Sequence, residues 1–384
     1  MFRWNEYRFR YFGWRLVLFV VVLSIIGVLV IGSASTEGYD KKQAACLIAG
    51  CVIMLAIAFV DYHFVLKFYW LMYIVNIGLL LYVEFFGESG GGAQRWIRFG
   101  SVGLQPSELA KVIIILFLAK FFWKYENKIN SFRIIISSAV LFGIPLALVF
   151  AQPDLSTSIV LVSIFCAVIF LANLSYKIIL PIMLVALPTF GVLLYKIMQD
   201  GQTLISDYQK ARILGFLYQD SNDPLIVRIN YQQKNSVLAI GSGQLMGKGL
   251  NNNTITSVKN GNFLSEPQTD FIFSIVGEEL GFVGSVAVVL LLCFIVIECL
   301  WIAFHAKDSA GRIIAGGMAA VIGFQSFVNL GVATWILPNT GLTLPFVSYG
   351  MSSLMSLLIG MGVVLNVSMQ RPMTFIETLN SGID

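Results

Sequence analysis

Ten apolar runs, each long enough to cross a bilayer, constrain this chain more than any other feature. They lie at 16–35, 43–60, 68–86, 107–123, 134–151, 155–174, 177–197, 271–303, 312–337 and 345–367. Spanning the hydrocarbon takes about 20 helical residues. In lipid, backbone N–H and C=O groups must be satisfied internally, so each span is expected to be a helix. Composition excludes a soluble reading: 57% of the 384 residues are hydrophobic, 12% are charged and mean hydropathy is +0.81. So little polar surface cannot cover a globule in water. The expectation is an all-α polytopic membrane protein of about ten transmembrane helices. It forms a single transmembrane domain over 1–384, with a large outer loop, about 198–270, between helices 7 and 8.

Several function classes drop out. The net charge of +4 is spread along the chain, which leaves no face for nucleic acid. The five cysteines, Cys46, Cys51, Cys166, Cys293 and Cys299, all sit in apolar runs without a CxxC pair. They read as small apolar residues, and the isolated His63 and His305 offer no zinc site. The first run resembles a signal peptide ending at Ser33-Ala34-Ser35. With so many spans following, it reads as an uncleaved first helix. The stretch Phe2 to Trp14 mixes aromatics with arginines and reads as an interfacial anchor rather than a partner-binding tail.

Lys and Arg in short loops set orientation. One set of helix ends carries Arg3, Arg8, Arg10, Arg15, Lys67, Lys120, Lys124, Lys128, Arg133, Lys177, Lys307, Arg312 and Arg371. The short loops of the other carry Lys41, Lys42, Arg95 and Arg98. The first set is expected to be cytoplasmic, with both termini inside. The polar connections 87–107, 152–154, 198–270 and 338–344 then share the outer face. The longest is too long for a passive turn and is expected to hold short interfacial helices.

Five constellations on that face could carry chemistry. Gln105-Pro106-Ser107-Glu108-Leu109-Ala110-Lys111 starts a helix at Pro106 and puts Glu108 and Lys111 on one face. That is either a structural pair or one wall of a site, with Arg95 and Arg98 close in sequence and suited to phosphate oxygens. In Gln152-Pro153-Asp154-Leu155-Ser156-Thr157-Ser158, Asp154 fits a helix N-cap and could also face a ligand. Tyr231 to Ser236 leads into the glycine-rich stretch Ile240 to Gly249, containing Lys248, which could form an anion nest but reads first as a turn. In Glu266 to Phe273, Asp270 sits where a polar loop enters an apolar helix; partial desolvation there favours a general base, whereas Thr269 or Asp270 could instead cap the helix. Glu278 and Glu279, deeper in, need partners, and Lys111 is a candidate. The fifth, Pro338 to Gly350, breaks a helix with two prolines and two glycines and includes Ser348; a cavity or re-entrant loop is expected. Together these predict an outward polar cleft with Asp154, Glu108 and Asp270 among Arg and Lys, suited to an amphiphile with an anionic head.

The motifs QPSELAK, QPDLSTS, AIGSGQLMGKG, EPQTDFIF with GEELGF, and GLTLPFVSYG occur in family order. In them the chain resembles the SEDS family (shape, elongation, division and sporulation), which includes RodA and FtsW, over nearly its whole length. The resemblance implies a peptidoglycan glycosyltransferase of the bacterial cytoplasmic membrane, polymerising lipid II at the outer face beside a class B penicillin-binding protein and other elongasome or divisome membrane proteins. It implies Asp270 as the essential carboxylate. Substrate contacts are expected from Arg95, Arg98, Glu108, Lys111, Asp154, Lys248, Thr269 and Ser348. A divalent cation, magnesium or manganese, held by Asp270, Glu108 and Asp154 is inferred from charge and family without a ligand motif; no organic cofactor is expected. Two positions depart from the family pattern: Gln268 stands where a His is frequent, and Met351 where a second glycine follows Gly350. The GSGQLMGKG stretch leans towards RodA, although the motifs are shared by elongation, division and sporulation members. The rival reading is a lipid II flippase, which would use the same cavity without chemistry and Asp270 as a gating or proton-relay residue.

Overall fold

The computed structural model describes residues 7–35, 37–90, 93–99, 102–152, 154–199, 207–218, 223–251, 257, 263–264 and 266–371. Thirteen helices account for most of them: α1 (Trp14–Ala34), α2 (Tyr39–Ala58), the single turn α3 (Tyr62–Val65), α4 (Tyr69–Phe86), α5 (Pro106–Lys124), α6 (Phe132–Ala151), α7 (Leu155–Leu171), α8 (Tyr176–Met198), α9 (Asp207–Leu217), α10 (Pro224–Ser242), α11 (Ile272–Phe304), α12 (Ser309–Ala333) and α13 (Met351–Met369). Each expected run overlaps a helix, the third, 68–86, overlapping α4, with α3 preceding it. By length and composition, seven of the described helices qualify as spans. Among the others, α5 carries Glu108, Lys111, Lys120 and Lys124, and α7 has 17 residues.

Local chemistry sets the helix ends. Pro106 opens α5 where its missing N–H costs nothing. Asp61, Asp154, Ser175 and Asp308 cap α3, α7, α8 and α12, each side chain accepting from a first-turn N–H. The long connection between α8 and α11 holds α9 and α10. Two expectations need correction. The connection 87–107, expected only as a polar loop, includes strands among its described residues: β1 (Glu88–Gly90), β2 (Ala93–Phe99) and β3 (Val102–Leu104) form an antiparallel sheet in that order. The last helix starts at Met351, not near 345, because Gly341 and Phe346 have positive φ values of 77° and 65° that no helix accommodates. The intervening strap is nonetheless buried at Asn339, Leu342, Leu344 and Val347.

The interior is built on α5, α12 and α13, whose residues are buried on most sides. The outer helices instead turn side chains such as Leu18, Ile48, Leu71, Ile74 and Phe85 outward, as lipid contact allows. Small residues bring the inner helices together. A Cβ at Gly317 would meet Ile115, and one at Gly360 would meet Met318 and Val112.

The first and last described stretches meet at one end of this bundle, where the Arg8 N–H donates to the Met369 carbonyl at 3.1 Å. A charged clasp closes that end. The two ring nitrogens of His63 face Asp61 Oδ1 at 3.0 Å and Asp308 Oδ2 at 2.7 Å. Gln370 adds a bond to Asp61, and Asp308 simultaneously caps α12 through the Gly311 N–H. Although burial would raise the Asp61 and Asp308 carboxyls, these hydrogen bonds hold both below the ordinary carboxylate range.

Candidate active site

Asp270 lies at the opposite end. It lies within a turn at 267–271, just before α11 begins at Ile272. Three hydrogen bonds to its carbonyls fix that turn. The Asn329 amide donates to the Asp270 carbonyl at 2.9 Å and to the Leu342 carbonyl at 2.6 Å. The Tyr349 N–H donates to the Gln268 carbonyl at 2.9 Å, and the Ser348 hydroxyl to the Thr269 carbonyl at 2.6 Å. The 338–350 strap and the Asp270 turn are therefore one unit, pinned to α12. No side chain caps α11, which removes the capping role from Thr269 and Asp270. The Asp270 carboxylate is half-buried. Burial pushes it up to about 6; Arg212 and Arg95 pull the other way, and Glu266 reinforces burial.

Two arginines converge here. Arg212, on α9, donates to the Thr340 carbonyl at 3.1 Å. A Cβ at Gly341 would lie 3.4 Å from Asp270 Oδ2 and 3.6 Å from Arg212 Nη1, so carboxylate and guanidinium face the same small volume. The Ser156 hydroxyl donates to the same Thr340 carbonyl. Arg95, on β2, approaches buried Asp154 at 3.7 Å while Asp154 accepts from the Thr157 N–H and hydroxyl. Asp154 is thus both a cap and an anchor for a cation.

The remaining expected residues fall elsewhere. Arg98 is exposed and pairs with Glu88 at 3.3 Å. Strand residues three apart point to opposite faces, so Arg95 turns inward and Arg98 outward. Glu108 and Lys111 form a buried pair at 2.7 Å. Lys111 therefore does not serve Glu278. Lys248 does, at 2.8 Å, and Ser33 donates to Glu279 at 2.6 Å. Lys248 belongs to this deeper pairing, not to the volume above Gly341. Thr269 and Ser348 fasten the turn through backbone bonds.

The glycine-rich stretch is a docking seam rather than an anion nest. Inside α11, Gly281 leaves helical geometry with φ 66° and ψ −161°. The freed groups are taken up by the stretch: Lys248 and Gly249 donate to the Glu278 and Glu279 carbonyls, and Phe282 and Val283 donate to Gln244 and Leu245. A Cβ at Gly243 would collide with the Gly277 carbonyl. Gly243→Ala is expected to destabilise the protein by about 1–3 kcal/mol, read as a lower melting temperature in detergent. An unchanged melting temperature would contradict this seam.

Among the described residues, no three His, Cys, Asp or Glu side chains gather closely enough to share an ion. Asp154 is engaged by its cap and Arg95, and Glu108 by Lys111. A three-carboxylate cation site from Asp270, Glu108 and Asp154 does not fit this arrangement. Arg212 was not singled out from the sequence, where it is one cation among Lys210, Arg228 and Lys234 in the long connection. No spacing signal distinguishes it; the fold does.

A polytopic helical membrane protein with a carboxylate set between two arginines at one end is the class this architecture defines. The chain belongs to the cell cycle protein family of FtsW, RodA and SpoVE, whose model matches residues 14–373. It is 36% identical over 360 residues to peptidoglycan glycosyltransferase MrdB of Escherichia coli (strain K12), covering 93% of this chain and 94% of that one. It is 34% identical over 367 residues to stage V sporulation protein E of Bacillus subtilis (strain 168), covering 92% and 96%. Among solved structures, the rod shape determining protein RodA of Thermus thermophilus matches with TM-score 0.69 and 27% identity, covering 97% of this chain and 99% of that one. A chain from a structure described as "Structural coordination of polymerization and crosslinking by a peptidoglycan synthase complex" matches with TM-score 0.75 and 27% identity, covering 93% and 97%.

Proposed function

We propose that this membrane protein polymerises lipid II into glycan strands by an inverting single displacement, with Asp270 as general base. Kinship and fold make the chain a peptidoglycan glycosyltransferase. The observation that carries the mechanism is the placement of Asp270, half-buried between cations on a turn pinned to α12.

The chemistry is balanced with these groups. The acceptor sugar 4-hydroxyl gives its proton to the Asp270 carboxylate. Its oxygen attacks the donor's anomeric carbon from the face opposite the diphosphate. The new C–O bond forms as the old one breaks, and the electron pair leaves on the lipid diphosphate. Attack from the far face turns an α-linked donor into a β-linked product. A diphosphate leaves without a proton, so one carboxylate suffices where inverting glycosidases need two. Arg95, near Asp154 and Asp270, is assigned the offset of the charge that develops on it. Magnesium usually binds through substrate phosphates and one or two carboxylates, a mode that needs no preformed three-carboxylate cage.

The asymmetry of Lys and Arg supports cytoplasmic termini and a site at the outer face of the cytoplasmic membrane. The match to a chain of a synthase complex supports a class B penicillin-binding protein as partner. The GSGQLMGKG stretch favours elongation over division, with other elongasome membrane proteins as neighbours. The test is polymerisation of fluorescent lipid II by the purified protein with its cognate transpeptidase and magnesium or manganese. Glycan ladders are expected; their absence would return lipid II translocation to the front.

A further inference from the structure

We propose that Arg212 exchanges partners during the reaction: beside Asp270 in the resting protein, it turns to the donor's diphosphate when lipid II enters and leaves the Asp270 carboxylate to take the acceptor's proton. This rests on the glycosyltransferase reading above and assigns that site its device for linking donor binding to base strength.

The geometry provides for such an exchange. Arg212 and Asp270 face the same volume above Gly341, where φ is 77° and no side chain intrudes. The Thr340 carbonyl that Arg212 holds is also held by the Ser156 hydroxyl, so it keeps a donor when Arg212 turns away. The guanidinium fork fits two phosphate oxygens, which a carboxylate and a carbonyl replace only in part. The charged groups around Asp270 come from every side: Arg212 on α9, Arg95 on β2 with Asp154 of the α7 cap behind it, and Glu266 in the turn. Arg212 and Arg95 both weaken Asp270 as a base. Asp154 already engages Arg95, whereas Arg212 sits on a surface helix packed mainly on α10. Of the two arginines, Arg212 is the one that faces the Asp270 carboxylate across the Gly341 volume.

The test uses the full-length protein with its transpeptidase partner and compares Arg212→Gln, Arg212→Lys and Asp270→Asn. The acid limb of kcat/KM reports the free enzyme, and that of kcat the loaded one. In the wild type the kcat limb is expected at higher pH than the kcat/KM limb. Arg212→Gln should raise KM for lipid II about tenfold or more, as losing a charge-assisted bond does, and should move the kcat/KM limb to higher pH, narrowing the gap. Arg212→Lys should fall between, and its partial recovery separates charge from folding. In the Asp270→Asn background, which cannot turn over, binding of fluorescent lipid II should persist and should weaken by a similar factor when Arg212→Gln is added. An Arg212→Gln protein with wild-type KM and an unmoved kcat/KM limb would overturn the exchange. An inactive wild type, or an active Asp270→Asn protein, would instead overturn the reading on which it rests.

Discussion

Asp270→Asn is expected to abolish glycan polymerisation while leaving the fold intact. Asn keeps the size and shape of the side chain and removes the acceptor of the proton. A positioned general base contributes roughly 10²–10⁴-fold, and a loss in that range erases the ladder in a standard assay. The wild-type rate should also fall as pH drops through about 6, where burial places the carboxyl, because the protonated form cannot act as a base. Stability should move the other way. Burial raises this carboxyl above its unfolded value, so its ionisation opposes folding: the cost is absent in acid and grows as pH rises through the folded value. A neutral Asn removes that cost, and the melting temperature of the variant should equal or exceed that of the wild type at neutral pH. Ladders from both proteins would take Asp270 out of the mechanism and bring Glu108 and Asp154 forward.

Lys111→Met should produce the largest loss of stability. Lys111 and Glu108 are both buried and bonded at 2.7 Å, one turn into α5. Removing one partner of a buried pair leaves a charge with nothing to offset its desolvation and costs about 3–5 kcal/mol. Reduced yield and a clearly lowered melting temperature in detergent are the expected results. Adding Glu108→Gln to Lys111→Met should recover much of the loss, since two neutral side chains do not carry the penalty. A single Lys111→Met variant that melts with the wild type would show that the pair is hydrated rather than buried.

The membrane architecture was legible because hydropathy is imposed segment by segment. A run such as 134–151 has one viable fate in lipid, and α6 occupies Phe132–Ala151. Boundaries written in single residues were legible too: Pro106 opens α5 and Asp154 caps α7. Pairings across the chain were not. Glu278 finds Lys248, 30 residues away, while Lys111 is taken by Glu108 in its own helix. A short-range partner wins before a distant one is reached, and the i,i+3 spacing already contained that answer. Arg95 and Arg98 read as equals until the strand separates them by face. Arg212 could not be picked out at all, because its position depends on how α9 rests over the 338–350 strap.

The bond from Asn329 to the Asp270 carbonyl also acts as a depth gauge. Asn329 stands twenty residues along α12 from Ser309, which adjoins the His63 clasp. At 1.5 Å per residue the two levels are roughly 30 Å apart, about the thickness of the hydrocarbon layer. On the proposed reading, with the clasp at one water boundary, that separation would put Asp270 at the other, level with the lipid headgroups. A carrier lipid holds its diphosphate at that same height. A lipid-linked donor of the kind proposed above would then reach the carboxylate by diffusing sideways in its own leaflet, its tail still in the membrane and its sugars already in water.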